Sequence, residues 1–185
     1  MNIRKAKKQE AGIISELLYS MLGQIARDHT ASSTDDEALR VLQTYVASDC
    51  SRYSYKNITV AELNEVIAGV MICYEGEHIE AFDQPMISYV REKTGNSTWR
   101  PDRETEAEDF YLDSIVVSES YQGKGIGSML LQSAFQEAES RQLPLTLNVE
   151  FENEGARALY EKMDFHVTGT RYISGKPFYY MKRNA

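Results

Sequence analysis

The chain has 185 residues, about one domain in size, and its 42% apolar and 26% charged residues suit a packed core and exclude intrinsic disorder. Its 28 acidic against 20 basic residues give a formal net charge of −8 with no basic stripe, which argues against nucleic acid as a partner and favours a small or cationic one. No apolar run approaches the roughly 18 residues of a membrane span, and the opening MNIRKAKKQE lacks the apolar stretch of a signal peptide. A cytoplasmic protein that does not engage membranes is therefore expected.

MNIRKA alternates and reads as a first strand. KKQEAGIISELLYSMLGQIA carries Ile13, Ile14, Leu17, Leu18, Met21 and Leu22 at helical spacing and reads as one helix. SSTDDEALRVLQTYVAS opens on a capping region and continues as a second helix. NITVAEL and EVIAGVMICY are strand-like, with Asn64-Glu65 as the reversal of a hairpin. EHIEAFDQPMISYVREKTG is helical, with an interruption expected at Pro85, and the acidic NSTWRPDRETEAEDF reads as loop. YLDSIVV is the clearest strand. A Gly-rich turn and a helix with Ile126, Met129, Leu130, Ala134 and Ala138 on one face follow it. LPLTLNV is a further strand, NEGARALYEKMDF a short helix, and FHVTGTRYI with KPFYYMKR a closing hairpin around Ser174-Gly175. Nothing resembles a linker, so residues 1–185 are expected to form one domain, with an insert at about 75–109 as the one long connection.

Cys50 and Cys73 are too few for a disulfide framework, and His29, His78 and His166 are too scattered for a metal site, so no metal is expected. The informative stretch is ESYQGKGIGSMLLQSAF, with Gly123, Gly125 and Gly127 within five positions. A Walker A loop fails here, because Lys124 is not followed by Ser or Thr and has no Gly five residues before it. A dinucleotide fingerprint fits poorly: the glycines fall as G-x-G-x-G, position 128 is Ser, and the loop lies five residues past Val117. What does match is Q/R-x-x-G-x-G/A, as Gln122, Gly123, Lys124, Gly125, Ile126 and Gly127. Glycines remove Cβ atoms that would hold a phosphate off the backbone. The amides of residues 123–128, with Ser128 opening the helix, can wrap an anion, and no acid occurs from residue 121 to 136.

With SIVVSESYQGKGIGSMLLQSAFQEA around it, this stretch resembles motif A of the GCN5-related N-acetyltransferases (GNAT), in the style of the small bacterial-type members. LTLNVEFENEGARALYEKMDF is similar to the family's second coenzyme region, with Asn153, Ala156, Leu159, Tyr160 and Phe165 at its spacing. Two turn positions depart from the pattern: Glu119 often is Pro there, and Asp164 often is Gly. The resemblance implies an α/β (α+β) fold, a mixed and mostly antiparallel twisted sheet of about six or seven strands with four or five helices. It implies acetyl-CoA as co-substrate and direct transfer to a primary amine, a small cationic one by preference. A protein amine, or a non-catalytic acetyl-CoA-binding module, is the alternative.

The resemblance further implies a splay between the YLDSIVV and LTLNV strands, with the pantetheine arm on the backbone of Ile115, Val116 and Val117. Tyr160 matches the general acid that protonates the departing thiolate, and Asn153 a coenzyme contact, although it could equally cap its helix. Asp113, an acid in an apolar strand, is the candidate general base; alternation places it on the face of Tyr111 and Ile115, with Glu150 in reserve. Residues 102–113, with six acids against Arg103, could form a lip that steers a cationic amine, or a solvated loop. Tyr172, Phe178, Tyr179 and Tyr180 could wall the acceptor, pack the core or form a homodimer interface.

Overall fold

The structure, a computed structural model, describes residues 1–184. In chain order it runs β1 (Asn2–Lys5), α1 (Ala11–Leu22), α2 (Gln24–Thr30), α3 (Asp35–Val46), β2 (Ile58–Leu63), β3 (Val66–Glu75), α4 (Ile79–Thr94), β4 (Phe110–Val117), α5 (Ile126–Arg141), β5 (Leu145–Glu150), α6 (Glu154–Lys162), β6 (His166–Ile173) and β7 (Lys176–Arg183). The seven strands form one sheet in the order β1-β2-β3-β4-β5-β7-β6. Every neighbouring pair is antiparallel except β4 with β5. This is the mixed, mostly antiparallel sheet expected from sequence.

Both hairpins turn where expected. Asn64 and Glu65 take φ of 50° and 65°, and Ser174 and Gly175 take 48° and 77°, the paired left-handed residues of a tight reversal that suits strand twist. Thr34 caps α3 by accepting the Glu37 amide at 3.3 Å, and three acids in the first turn favour the helix dipole.

Three helical expectations are corrected. The stretch expected as one long helix breaks at Gly23, whose φ of 50° suits glycine, and restarts as α2. Three helices therefore precede β2, and the described residues hold six, not four or five. Pro85 does not interrupt α4. Proline removes the bond to Ala81 O four residues back; that carbonyl faces the Cys50 thiol at 3.6 Å, and Phe82 O accepts the Arg52 amide at 3.3 Å.

The sheet carries a core on each face. Leu112, Leu145, Leu147, Val149 and Met71 pack against Leu130, Ala134 and Phe135 of α5 on one side. Val60, Val70, Ile72 and Tyr111 pack against Ile14, Leu18, Leu42 and Met86 on the other. Gly69 makes the α5 contact possible, since a Cβ there would lie 3.0 Å from Val116 O and 3.3 Å from Ile126 and Leu130. Tyr111 pairs with Tyr74 and Leu112 with Cys73, but the next pair is Ser114 with Ile72, so Asp113 is the extra residue of a bulge. The bulge reverses the alternation. Asp113 lies on the Tyr111 side, whereas Ile115 packs against the α5 core, a correction to the shared face expected for the three.

Candidate active site

β4 and β5 pair only at Phe110, Leu112 and Tyr111 with Leu145, Leu147 and Thr146. Beyond them the strands part, as the resemblance implies, and the β5-facing edge of residues 113–117 is left without a strand partner. Two cavities meet this opening from opposite sides.

The first, of about 320 Å³, is walled by β4 (Ile115, Val117), by the Gly-rich turn and the start of α5, and by Leu159, Tyr160 and Met163 of the α6 region. Gly123 and Gly125 take φ of 74° and 78°, and a Cβ on either would project into open space. A side chain there would be strained in its backbone and would fill the place where a ligand can reach the amides. The Gln122 amide bonds Glu119 O at 3.2 Å and the Met129 amide bonds Gly125 O at 3.1 Å. Among the described residues, the six amides between them donate to no backbone group outside the helix. These free donors at the start of a 16-residue helix suit a diphosphate. Gln122 braces the turn by donating to Val117 O at 3.2 Å. Tyr160 is half-buried, its ring 5.6 Å from that of Phe165, and burial raises its phenol above the ordinary range, so it is a protonated donor at neutral pH.

The second cavity, also about 320 Å³, has aliphatic walls from Met21, Leu22 and Ile25 and a polar floor of Glu104, Tyr111, Asp113 and Asn148. Arg52 also lines this cavity, with its side chain 2% exposed. It donates to Asp83 at 2.7 and 3.0 Å and to Glu104 at 2.5 Å, and lies 3.6 Å from Asp113. Three carboxylates thus surround one guanidinium. Burial pushes the Glu104 carboxyl above its ordinary range; Arg52 opposes this and the like charge of Asp113 adds to it. Asp113 accepts hydrogen bonds from Tyr74 (2.6 Å) and Ser114 (2.7 Å). His29 lines the same cavity with its Nδ1 2.7 Å from the Tyr53 hydroxyl; burial and then Arg52 push its imidazole down to about 3.

The coenzyme-side residues named from sequence largely converge: Ile115, Val117, Gln122, Gly123, Gly125, Ile126, Gly127, Ser128 and Tyr160 share the first cavity. Val116 packs toward the α1–α4 core instead. Lys124 lies over Tyr121 and donates to Ser120 O at 3.1 Å, outside the cavity lining. Asn153 caps α6, accepting the Ala156 amide at 3.0 Å, and lines the second cavity along with Glu150, which pairs with Lys176 at 3.2 Å.

The acidic stretch is not a free lip. Asp102 accepts the Ser174 amide, Glu106 pairs with Arg103 and Arg171, and Asp109 pairs with Lys182. Of the four terminal-hairpin aromatics, Phe178 alone lines the second cavity; Tyr180 is buried and Tyr172 is 68% exposed. Neither cysteine lines either cavity, and burial raises the Cys73 thiol. His78 meets Glu75 and Glu77 at the surface, away from both cavities, and Glu75 is already paired with Arg141. Sequence reading missed Arg52, His29 and Asn148, which follow no motif, and took Glu104 as one acid of a run.

Comparison with known proteins agrees with this geometry. The sequence pattern of the acetyltransferase (GNAT) family matches residues 18–165. A peptidyl-lysine N-acetyltransferase, YjaB of Salmonella typhimurium, is 36% identical over 70 residues; these are 37% of this chain and 46% of that protein, so the match spans under half the length of the curated relative. A crystal structure described as an acetyltransferase superposes with a TM-score of 0.81 at 31% identity, covering 100% of this chain and 99% of that one. An N-acetyltransferase from Staphylococcus aureus Mu50 superposes with a TM-score of 0.83 at 23% identity, covering 99% and 100%. With four-fifths of its length matched by the family pattern, the chain belongs to the acetyltransferase (GNAT) family.

Proposed function

We propose that the protein moves the acetyl group of acetyl-CoA directly to a primary amine, with a small cationic amine as the favoured acceptor. The observation that carries this reading is the pairing of two unlike cavities across one gap: an amide cradle for a diphosphate, and an anionic floor for an ammonium. The family uses acetyl-CoA, and the free amides of residues 123–128 are the chemistry its diphosphate needs. The pantetheine arm would lie along the unpaired edge of Ile115, Val116 and Val117. One amide there would polarise the thioester carbonyl and hold the oxyanion, an effect worth about 3 kcal/mol.

Tyr160 would give its proton to the departing thiolate. Asp113 and Glu104 together would draw in the acceptor and receive its proton. No covalent acetyl-enzyme is needed, since both cysteines lie off the path. A second reading, transfer to a lysine side chain of a protein, draws on a larger cavity of about 570 Å³ that shares His29, Glu104 and Ile173 with the acceptor cavity.

Calorimetry with acetyl-CoA and a thiol-release screen against amines, polyamines, amino acids and peptides test the proposal. Micromolar binding with turnover on a compact amine is the expected result. Binding without turnover on any acceptor would leave a coenzyme-binding module, and no binding at millimolar acetyl-CoA would sink the reading altogether. Gly125→Glu should abolish binding, because it adds bulk, negative charge and a strained left-handed backbone at the cradle.

A further inference from the structure

An ammonium cannot attack a thioester until it sheds a proton, and an amine like that of lysine is almost wholly protonated at neutral pH. The cavity floor contains a connected path for that proton. Asn148 is the first β5 residue past the last β4 pair, Leu112 with Leu147, so it stands where the strands part. Its amide nitrogen donates to the Tyr111 hydroxyl and to Glu104 O, both at 2.9 Å. The Tyr111 hydroxyl in turn donates to Glu104 Oε2 at 2.9 Å, and Glu104 Oε1 faces Arg52. Tyr111, Glu104 and Asn148 all line the acceptor cavity.

We propose that Glu104 is the proton acceptor of the reaction and that Tyr111 relays the proton to it. This rests on the acetyltransferase reading. The ammonium donates one N–H to the free lone pair of Tyr111 Oη. As that proton moves to Oη, the phenol's own proton passes to Glu104 Oε2. The products are a neutral amine, an unchanged tyrosine and a protonated Glu104, which later loses its proton to solvent. The amine nitrogen then bonds the acetyl carbon, the C–S bond breaks, and the thiolate takes a proton from Tyr160. Tyr160 is reprotonated by the second proton that the nitrogen sheds as the amide forms.

The charged and titratable groups around Glu104 come from every element packed on it: Arg52 and Tyr53 before β2, His29 of α2, Tyr74 of β3, Asp83 of α4, and Tyr111 and Asp113 of β4. Burial and Asp113 favour the protonated carboxyl. Burial and then Glu104 hold the Tyr111 phenol far above its ordinary range, so the relay works by concerted exchange and leaves no phenolate. Asp113 also lines the cavity, but one of its oxygens accepts from Ser114 and the other from Tyr74, which lines neither cavity of the site.

The test is the pH profile of kcat/KM for acetyl transfer to butane-1,4-diamine and to N-α-acetyl-lysine amide, in wild type, Glu104→Gln, Tyr111→Phe and Asp113→Asn. Glu104→Gln should lose about 10²-fold at pH 7 and recover as pH approaches the pKa of the amine, with acetyl-CoA affinity unchanged. Tyr111→Phe should show the same pH-dependent loss with Glu104 and its Arg52 contact intact, and it carries the test alone if the Gln variant does not fold. Losses uniform across pH, a Tyr111→Phe enzyme like wild type, or a pH-dependent loss confined to Asp113→Asn would overturn the relay. A wild type that binds acetyl-CoA but acetylates neither these nor any other amine overturns the acetyltransferase reading and the relay with it.

Discussion

Tyr160 carries two jobs on one ring. It packs edge-to-face with Phe165, and it lines the cavity beside the Gly-rich turn. Tyr160→Phe keeps the ring and removes the proton. The expected outcome is a fall in kcat of about 10²-fold with acetyl-CoA affinity unchanged, read by steady-state kinetics and calorimetry side by side. A matched loss of coenzyme affinity would mean that the hydroxyl serves binding and not proton transfer. At this scale the sequence was informative wherever a residue acts through its neighbours in the chain. Gly123 and Gly125 were recognisable because a left-handed turn before a helix is a local event. Arg52 was not, because its burial depends on Asp83, Glu104 and Asp113 arriving from three distant segments.

Elements tell the same story with one addition, the connection from α4 to β4. Residues 96–110 read as a polar loop, yet Glu104, Thr105 and Asp109 are buried in it. Gly76 makes this possible. Its amide bonds Asp109 O at 2.8 Å, and a Cβ on it would lie 1.8 Å from Glu106 O, so only glycine lets the returning chain pass. No local pattern marks that contact, because its two halves lie thirty residues apart. Gly76→Ala should therefore push the segment off β3 and displace Glu104 from Arg52. A thermal-shift assay should show a loss of stability of about 1–3 kcal/mol, and acceptor turnover should fall. Acetyl-CoA affinity should hold, since the amide cradle sits across the splay on α5. Equal losses on both substrates would instead mean that the segment braces the whole sheet. The break at Gly23 and the bulge at Asp113 were missed for a related reason: the apolar spacing of α1 runs on through the glycine, and a bulge leaves composition unchanged while reversing which face a side chain takes.

Across the whole molecule, most of the order of strands and helices along the chain was legible, because each element carries its own local spacing. The distribution of charge was not. A net charge of −8 suggests a uniformly acidic surface, but several acids are internal and neutralised, and one internal base carries none. That base is His29, 6% exposed, and it links pH to folding. Its imidazole titrates at 6.5 when solvated but near 3 in the fold, since burial and then Arg52 oppose its charge. Between those values the unfolded chain binds a proton that the folded protein does not. Stability therefore rises with pH across this window, and acidification from 6.5 to 5 costs the fold about 2 kcal/mol through this one group. The raised carboxyl of Glu104 acts in the opposite sense, so wild type alone would blur the two. His29→Gln keeps a polar partner for Tyr53 and removes the titration. Urea unfolding of both proteins from pH 8 to pH 5 should show the wild type losing about 2 kcal/mol relative to the variant, with the gap opening below pH 6.5. Parallel curves would mean that the imidazole takes up its proton in the folded state, which would require water to reach it through the two cavities it lines.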